Sequence, residues 1–237
     1  MSKATVLFFS ADPLSALPGG MPRLLLDENV RRIRAKVRAA EYRDALQFDL
    51  RLAARPDDLI QALNETRPHV VHFSGHGRSE GLVLVGSDGG VHLVGAEALT
   101  RLFRVFRGDI RVVVLNACFT LGQAQAIAET VGCAIGTGDR ISGDAATTFA
   151  AAFYSALAFG HSVQTAFDQA RVALALEHPG EEETPEIIAG PGVDPAHIFV
   201  VRGDRAAAAD TIDLRAAFEC LVEGIPASRV RDGVEGG

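Results

Sequence analysis

His76 and Cys118 stand about forty residues apart, each at the point where a short apolar run breaks off. One run is His69-Val70-Val71-His72-Phe73-Ser74-Gly75-His76-Gly77, the other Val112-Val113-Val114-Leu115-Asn116-Ala117-Cys118. A thiol becomes a strong nucleophile when a base within hydrogen-bond reach takes its proton. Histidine is the side chain suited to accepting and returning a proton near neutral pH. Taken alone, Cys118 would read as a buried structural thiol, because free cysteine is among the most buried residue types. With His76 at the end of a matching run, the reading turns to a nucleophile and its base. Gly75 and Gly77 flank the histidine with residues that lack a Cβ, which would let a substrate backbone come close.

Runs of β-branched and apolar residues of this length, closed by glycine, read as buried strands of a parallel sheet. In open α/β sheets, sites form at the carboxyl ends of the strands, so two adjacent parallel strands would deliver His76 and Cys118 to one edge. The rest of the chain supplies such a sheet. Thr5–Phe9 reads as a first strand, Leu24–Ala40 as a helix with apolar residues at three- and four-residue steps, and Phe48–Leu52 as a second strand. Pro56 opens a helix that Pro68 ends, just before the His76 run. Gly81–Val85 and Val91–Val94, joined through Asp88-Gly89-Gly90, form a hairpin. The helix Ala96–Phe106 precedes the Cys118 run, and the helix Gln123–Thr130 and a short strand Cys133–Gly136 follow it. Thr137–Asp144 is read as a loop, and Ala145–Phe159 and Ser162–Leu176 as Ala-rich helices. The polar stretch 177–195 is expected to be a loop and Ile198–Val201 the final strand. Strands alternating with helices imply a parallel α/β sheet with helices on both faces.

The 237 residues allow one large domain with an appendage, and 48% hydrophobic content is ample for a core. A net charge of −7 with no basic cluster gives no nucleic-acid footprint. Three cysteines, Cys118, Cys133 and Cys220, are too few and odd in number for a disulfide framework, which favours a reducing compartment. No Cys/His spacing suits a metal, so neither a metal nor a cofactor is expected. The start is too short for a signal-peptide core and no apolar run reaches membrane-spanning length, so the expected location is the cytoplasm, with no membrane partner.

Val70–Gly77 followed by Val114-Leu115-Asn116-Ala117-Cys118 resembles the CHAT domain, the caspase-like peptidase family of the clan of caspases, separases and gingipains. The resemblance also takes in Arg55-Pro56-Asp57-Asp58-Leu59 and Ala152-Phe153-Tyr154-Ser155-Ala156-Leu157, and so covers roughly residues 4–201. It implies a caspase-like α/β fold with a mostly parallel central sheet. It also implies a His–Cys dyad in which His76 is the general base and Cys118 the nucleophile. The backbone N–H groups of Gly77 and Cys118 would hold the oxyanion, typically the largest single catalytic term. In Arg/Lys-specific members of the clan an aspartate in the loop after the Cys133–Gly136 strand contacts the substrate, which points to Asp139 and Asp144. Asp144 has a second reading as the cap of the helix it precedes, and Asp12, at the end of the first strand, is a further candidate for the pocket. The tryptophan found near this loop in many relatives is missing, since the chain contains none.

The resemblance thus implies a cysteine endopeptidase acting on a protein or peptide substrate, of the kind that serves as a bacterial conflict effector released by a sensor partner. The rival reading is a catalytically silent adaptor of the same fold, against which an intact His–Cys pair speaks. A nucleotide-binding module is disfavoured because neither GxGxxG nor a P-loop is present. The peptidase domain is expected over 1–201. Residues 202–237 are expected to hold a linker, a helix Ile212–Val222 that docks on the domain or on a partner, and a tail. His72 is expected to pack in the core, with an orienting role as the alternative. Asn116 is expected to orient the turn or to cap the strand end.

Overall fold

A computed structural model of the protein describes residues 3–13, 24 and 26–201. The elements alternate as the periodicity requires. They are β1 (Ala4–Ala11), α1 (Leu26–Arg38), β2 (Leu46–Arg51), α2 (Pro56–Thr66), β3 (Val70–Gly75), β4 (Gly77–Arg78), β5 (Gly81–Val85) and β6 (Val91–Val94). There follow α3 (Ala96–Phe106), β7 (Val112–Asn116), α4 (Leu121–Val131), β8 (Cys133–Thr137), α5 (Gly143–Ala158), α6 (Val163–Glu177) and β9 (Pro185–Ala189).

A six-stranded sheet runs in the order β2-β1-β3-β7-β8-β9. Its first five strands are parallel and β9 is antiparallel. Central strands covered on both faces must be apolar at successive positions, and β1, β3 and β7 are. Alternate residues of each enter different cores. Val6, Phe8, Val70, Val112 and Val114 meet α1, α5 and α6, whereas Leu7, Phe9, Val71, Phe73, Val113 and Leu115 meet α2, α3 and α4. The sheet is therefore a mostly parallel one with helices on both faces. The hairpin β5–β6 forms a separate three-stranded sheet with β4, in which Gly77 pairs with Leu82.

Two expectations at the end of the chain are corrected. The stretch read as loop contains β9, which pairs with β8 from Thr137↔Pro185 to Cys133↔Ala189. Its proline is the first residue of an edge strand, a position where no ladder donor is needed. The run Ile198–Val201 is not a sheet strand: it makes one isolated bridge, Ser162↔Phe199, while Val200 and Val201 bury in the core. A short apolar run signals burial without saying how the backbone is paired. The expected helix Ile212–Val222 lies outside the described residues.

Candidate active site

Ser10, Ser74 and Asn116 lie side by side across β1, β3 and β7. Two residues further along the chain, just past the ends of these strands, stand Asp12, His76 and Cys118. The three are thus brought to one sheet edge by register alone. His76 Nε2 lies 3.3 Å from Asp12 Oδ1, with both side chains about nine-tenths buried. The other Asp12 oxygen accepts the Leu24 N–H at 3.3 Å. Asp12 therefore faces the histidine, a different place from the substrate pocket in which the sequence put it. A carboxylate that accepts from Nε2–H leaves the lone pair on Nδ1, the form in which imidazole serves as a base.

Cys118 is half-buried at the mouth of a cavity of about 830 Å³ whose wall includes His76, Gly77, Arg140, Ile141, Ser142 and Glu181. Its thiol donates to the Ile141 carbonyl oxygen at 3.6 Å. The turn that carries it is held from beneath. Thr120 Oγ1 donates towards the Leu115 and Ala117 carbonyl oxygens at 3.0 and 2.9 Å and accepts the Thr137 N–H at 3.1 Å. The Thr137 hydroxyl donates to the Ala117 carbonyl as well. Phe119, next to the cysteine, has φ 56°, a left-handed conformation that a bulky residue adopts only under constraint. Its N–H reaches the Asp139 carbonyl at 3.3 Å, and this fixes the loop after β8 beside Cys118.

The histidine loop is tied to the cysteine helix. The buried Gln123 of α4 donates to the Arg78 and Ser79 carbonyl oxygens at 2.9 and 3.2 Å. The glycines around His76 serve packing between loops. A Cβ on Gly75 would stand 2.6 Å from the Ala11 carbonyl oxygen, and one on Gly77 would sit on the Cys118 carbonyl and 2.9 Å from Thr120 Cγ2. What approaches these residues closely is the neighbouring strand end, where the sequence suggested a substrate. Gly77 and Cys118, whose N–H groups were expected to hold an oxyanion, are in this way pressed together.

The side chains of the aspartates expected to select substrate make other contacts. Asp139 turns its carboxylate onto the Arg140 N–H at 2.6 Å, and Asp144 is exposed in the first turn of α5. Neither lines the cavity. Ser142, whose Oγ accepts the Ala145 N–H, caps α5, so Asp144 is not the cap; it sits where a carboxylate meets the positive end of the helix. The carboxylates that do line the cavity are Glu80, four residues after His76, and Glu181, from the segment between α6 and β9. Glu181 was missed because that segment reads as an undifferentiated polar loop, and only the fold carries it back to the cysteine.

The remaining candidates are structural. His72 is fully buried, stacks on Phe8 with ring centroids 4.3 Å apart, and places Nδ1 3.0 Å from Tyr154 Oη. Burial pushes its pKa down to about 3, so it is neutral in the core. Asn116 donates to the Ala146 carbonyl at 2.8 Å and ties β7 to α5. Burial pushes the Cys133 thiol up to about 12 and leaves it inert. Among the described residues no cluster of His, Cys, Asp and Glu could hold a metal, and no helix is long and apolar enough to cross a membrane.

A mostly parallel sheet with helices on both faces and a histidine and a cysteine at adjacent strand ends is the architecture of the caspase-like cysteine peptidases. The CHAT domain family model matches residues 16–199, and the chain belongs to that family. Solved structures agree on the fold. The Arg-specific cysteine proteinase gingipain R superposes with a TM-score of 0.56 at 14% identity, over 80% of this chain and 46% of its own. This chain thus spans about half of that gingipain structure. The Drosophila initiator caspase Dronc superposes with a TM-score of 0.53 at 10% identity, over 82% of this chain and 84% of its own. A search of curated proteins finds no match to the chain.

Proposed function

We propose that the protein is a cysteine endopeptidase with Cys118 as nucleophile, His76 as general base and acid, and Asp12 as the carboxylate that orients the imidazole. The observation that carries this reading is the row Asp12–His76–Cys118 at the carboxyl ends of β1, β3 and β7, with His76 and Cys118 on the wall of one cavity. In the first half-reaction the Cys118 thiol passes its proton to His76 and the sulfur attacks the peptide carbonyl carbon. The carbonyl oxygen takes the negative charge, for which the N–H groups of Gly77 and Cys118 are the candidate donors. Collapse breaks the C–N bond, the amine leaves with the proton held by His76, and a thioester remains on Cys118. Water then attacks the thioester with His76 as base, releasing the acid and the thiol.

The arrangement favours a gated enzyme. The Cys118 thiol donates to the Ile141 carbonyl oxygen, so this contact with the loop between β8 and α5 breaks before the thiol proton passes to the imidazole. A sensor or regulatory protein that moves this loop is the activating partner we propose, in keeping with the role of a released effector. The test is incubation of a diverse peptide library with wild type and with Cys118→Ala, read by mass spectrometry. Cleavage by wild type alone is the expected result. Identical cleavage products from the two proteins sink the peptidase reading, whereas no product from either is the gated resting state, which Cys118 alkylation slowed in His76→Ala distinguishes from an adaptor.

A further inference from the structure

We infer that Glu181 is a latch, which holds the site in its resting state by fixing the peptide unit between Ile141 and Ser142. The inference rests on the peptidase reading and names the residue that keeps that site closed. Both ends of this one peptide unit are engaged. Its carbonyl oxygen accepts the Cys118 thiol at 3.6 Å, and its N–H donates to one Glu181 oxygen at 2.7 Å. The C=O and N–H of a planar trans peptide point opposite ways, so the unit is strung between the sulfur and the carboxylate. The second Glu181 oxygen accepts the Ser142 hydroxyl at 2.8 Å, while Ser142 Oγ accepts the Ala145 N–H at 3.2 Å.

Other contacts set the ends of this loop. The Asp139 carbonyl takes the Phe119 N–H, the Ile141 side chain is buried in the core, and α5 begins at Gly143. What is left to fix is the tilt of the 141–142 unit, and Glu181 fixes it. While the carbonyl faces the sulfur, the thiol proton is committed to Ile141 and not to His76, and the oxygen repels the thiolate that must form. Rotation about the bonds on either side of the unit takes the carbonyl away without isomerising the peptide bond. Glu181 stands in a braced segment. Its own N–H donates to the His178 carbonyl at 3.1 Å, Arg171 Nε donates to the Glu182 carbonyl at 2.9 Å, and Arg171 pairs with Glu183. Arg171 belongs to α6, so the latch is carried on α6 and opens when the turn after that helix shifts.

The test is the rate at which iodoacetamide alkylates Cys118 in the full chain, read by peptide mapping. Buried Cys133 in the same sample measures unfolding. Glu181→Gln keeps the shape but replaces a charged acceptor with a neutral amide, and should raise the Cys118 rate about 10-fold while Cys133 stays unlabelled. Glu181→Ala should raise it at least as far. Glu80→Gln removes a charge from the same cavity wall and should stay near the wild-type rate. An unchanged Cys118 rate in Glu181→Gln, an equal rise in Glu80→Gln, or a rise that Cys133 shares overturns the inference. Peptide cleavage by the same proteins is followed in parallel. Faster labelling of Glu181→Gln with no cleavage by that variant counts against the peptidase reading and leaves the latch standing. Cleavage by wild type, with labelling and cleavage both unchanged in Glu181→Gln, does the reverse.

Discussion

An imidazole serves one substrate turn after another when its tautomer is controlled, and at His76 the Asp12 carboxylate is placed to do so. Asp12→Asn keeps the shape but offers an amide donor to Nε2, which favours the tautomer whose Nδ1 carries the proton. The expected outcome is a fall in kcat of about 10²–10⁴-fold with little change in KM, measured on any peptide the wild type cleaves. A variant that retained full kcat would remove Asp12 from the catalytic unit. Cys118→Ala should abolish turnover entirely, since it removes the atom that forms the thioester. His72, four residues before the base, responds to acid in another way. Its folded-state pKa of about 3 lies below the ordinary 6.5, so its neutral burial contributes fully above pH 6.5 and is lost progressively as pH falls towards 3. Urea unfolding as a function of pH should show His72→Phe losing less stability than wild type across that window, by up to about 1.4 kcal/mol per pH unit.

At the scale of the element, the site depends on how closely two strand ends approach. Gly77 has no room for a Cβ because the Cys118 carbonyl and Thr120 occupy that space. Backbone cannot yield there as a flexible side chain would, so Gly77→Ala should push the histidine loop away from the cysteine turn. We expect a loss of stability of about 1–3 kcal/mol by thermal or urea unfolding, with a fall in activity beyond that loss. The helices contribute anchors as well as cover. Gln123 of α4 and the threonines at 120 and 137 hold the two loops to the same piece of scaffold, which is how a pair on separate strands keeps its spacing.

For the whole molecule, the two cysteines on neighbouring strands report two kinds of opening. Cys133 is fully buried in the sheet beneath α5, and Cys118 is half-buried at the cavity. Alkylation followed by peptide mapping should label Cys118 in the native protein and Cys133 only at the rate of global unfolding. His76→Ala should slow the first reaction and leave the second unchanged. Comparable labelling of both cysteines under native conditions would contradict the packing of the β8 region.

The sequence by itself determined the strands that carry the site and the residues at their ends. Apolar runs stopped by Gly75-His76-Gly77 and by Asn116-Ala117-Cys118 are local signals, and the period of two makes the face of each residue a local matter too. The family was legible for the same reason, because its marks are short and sit at strand ends. Only the tertiary structure decided which partners meet there. Asp12 became the histidine's carboxylate through the β1–β3 register, and Glu181 reached the cavity through the return of the chain from α6 into β9. The sequence marks Asp12 only as a candidate for the substrate pocket and does not mark Glu181, because a carboxylate in a turn or a polar loop looks alike whatever it faces. The antiparallel edge was hidden likewise: Ile187 and Ile188 favour a strand, but between Pro185, Glu186 and Ala189 the signal is too short to stand out, and the segment becomes a strand because β8 offers it an unpaired edge. Burial of an apolar run can be read from composition, but pairing is a contact between distant segments, and it exists only once the chain has closed.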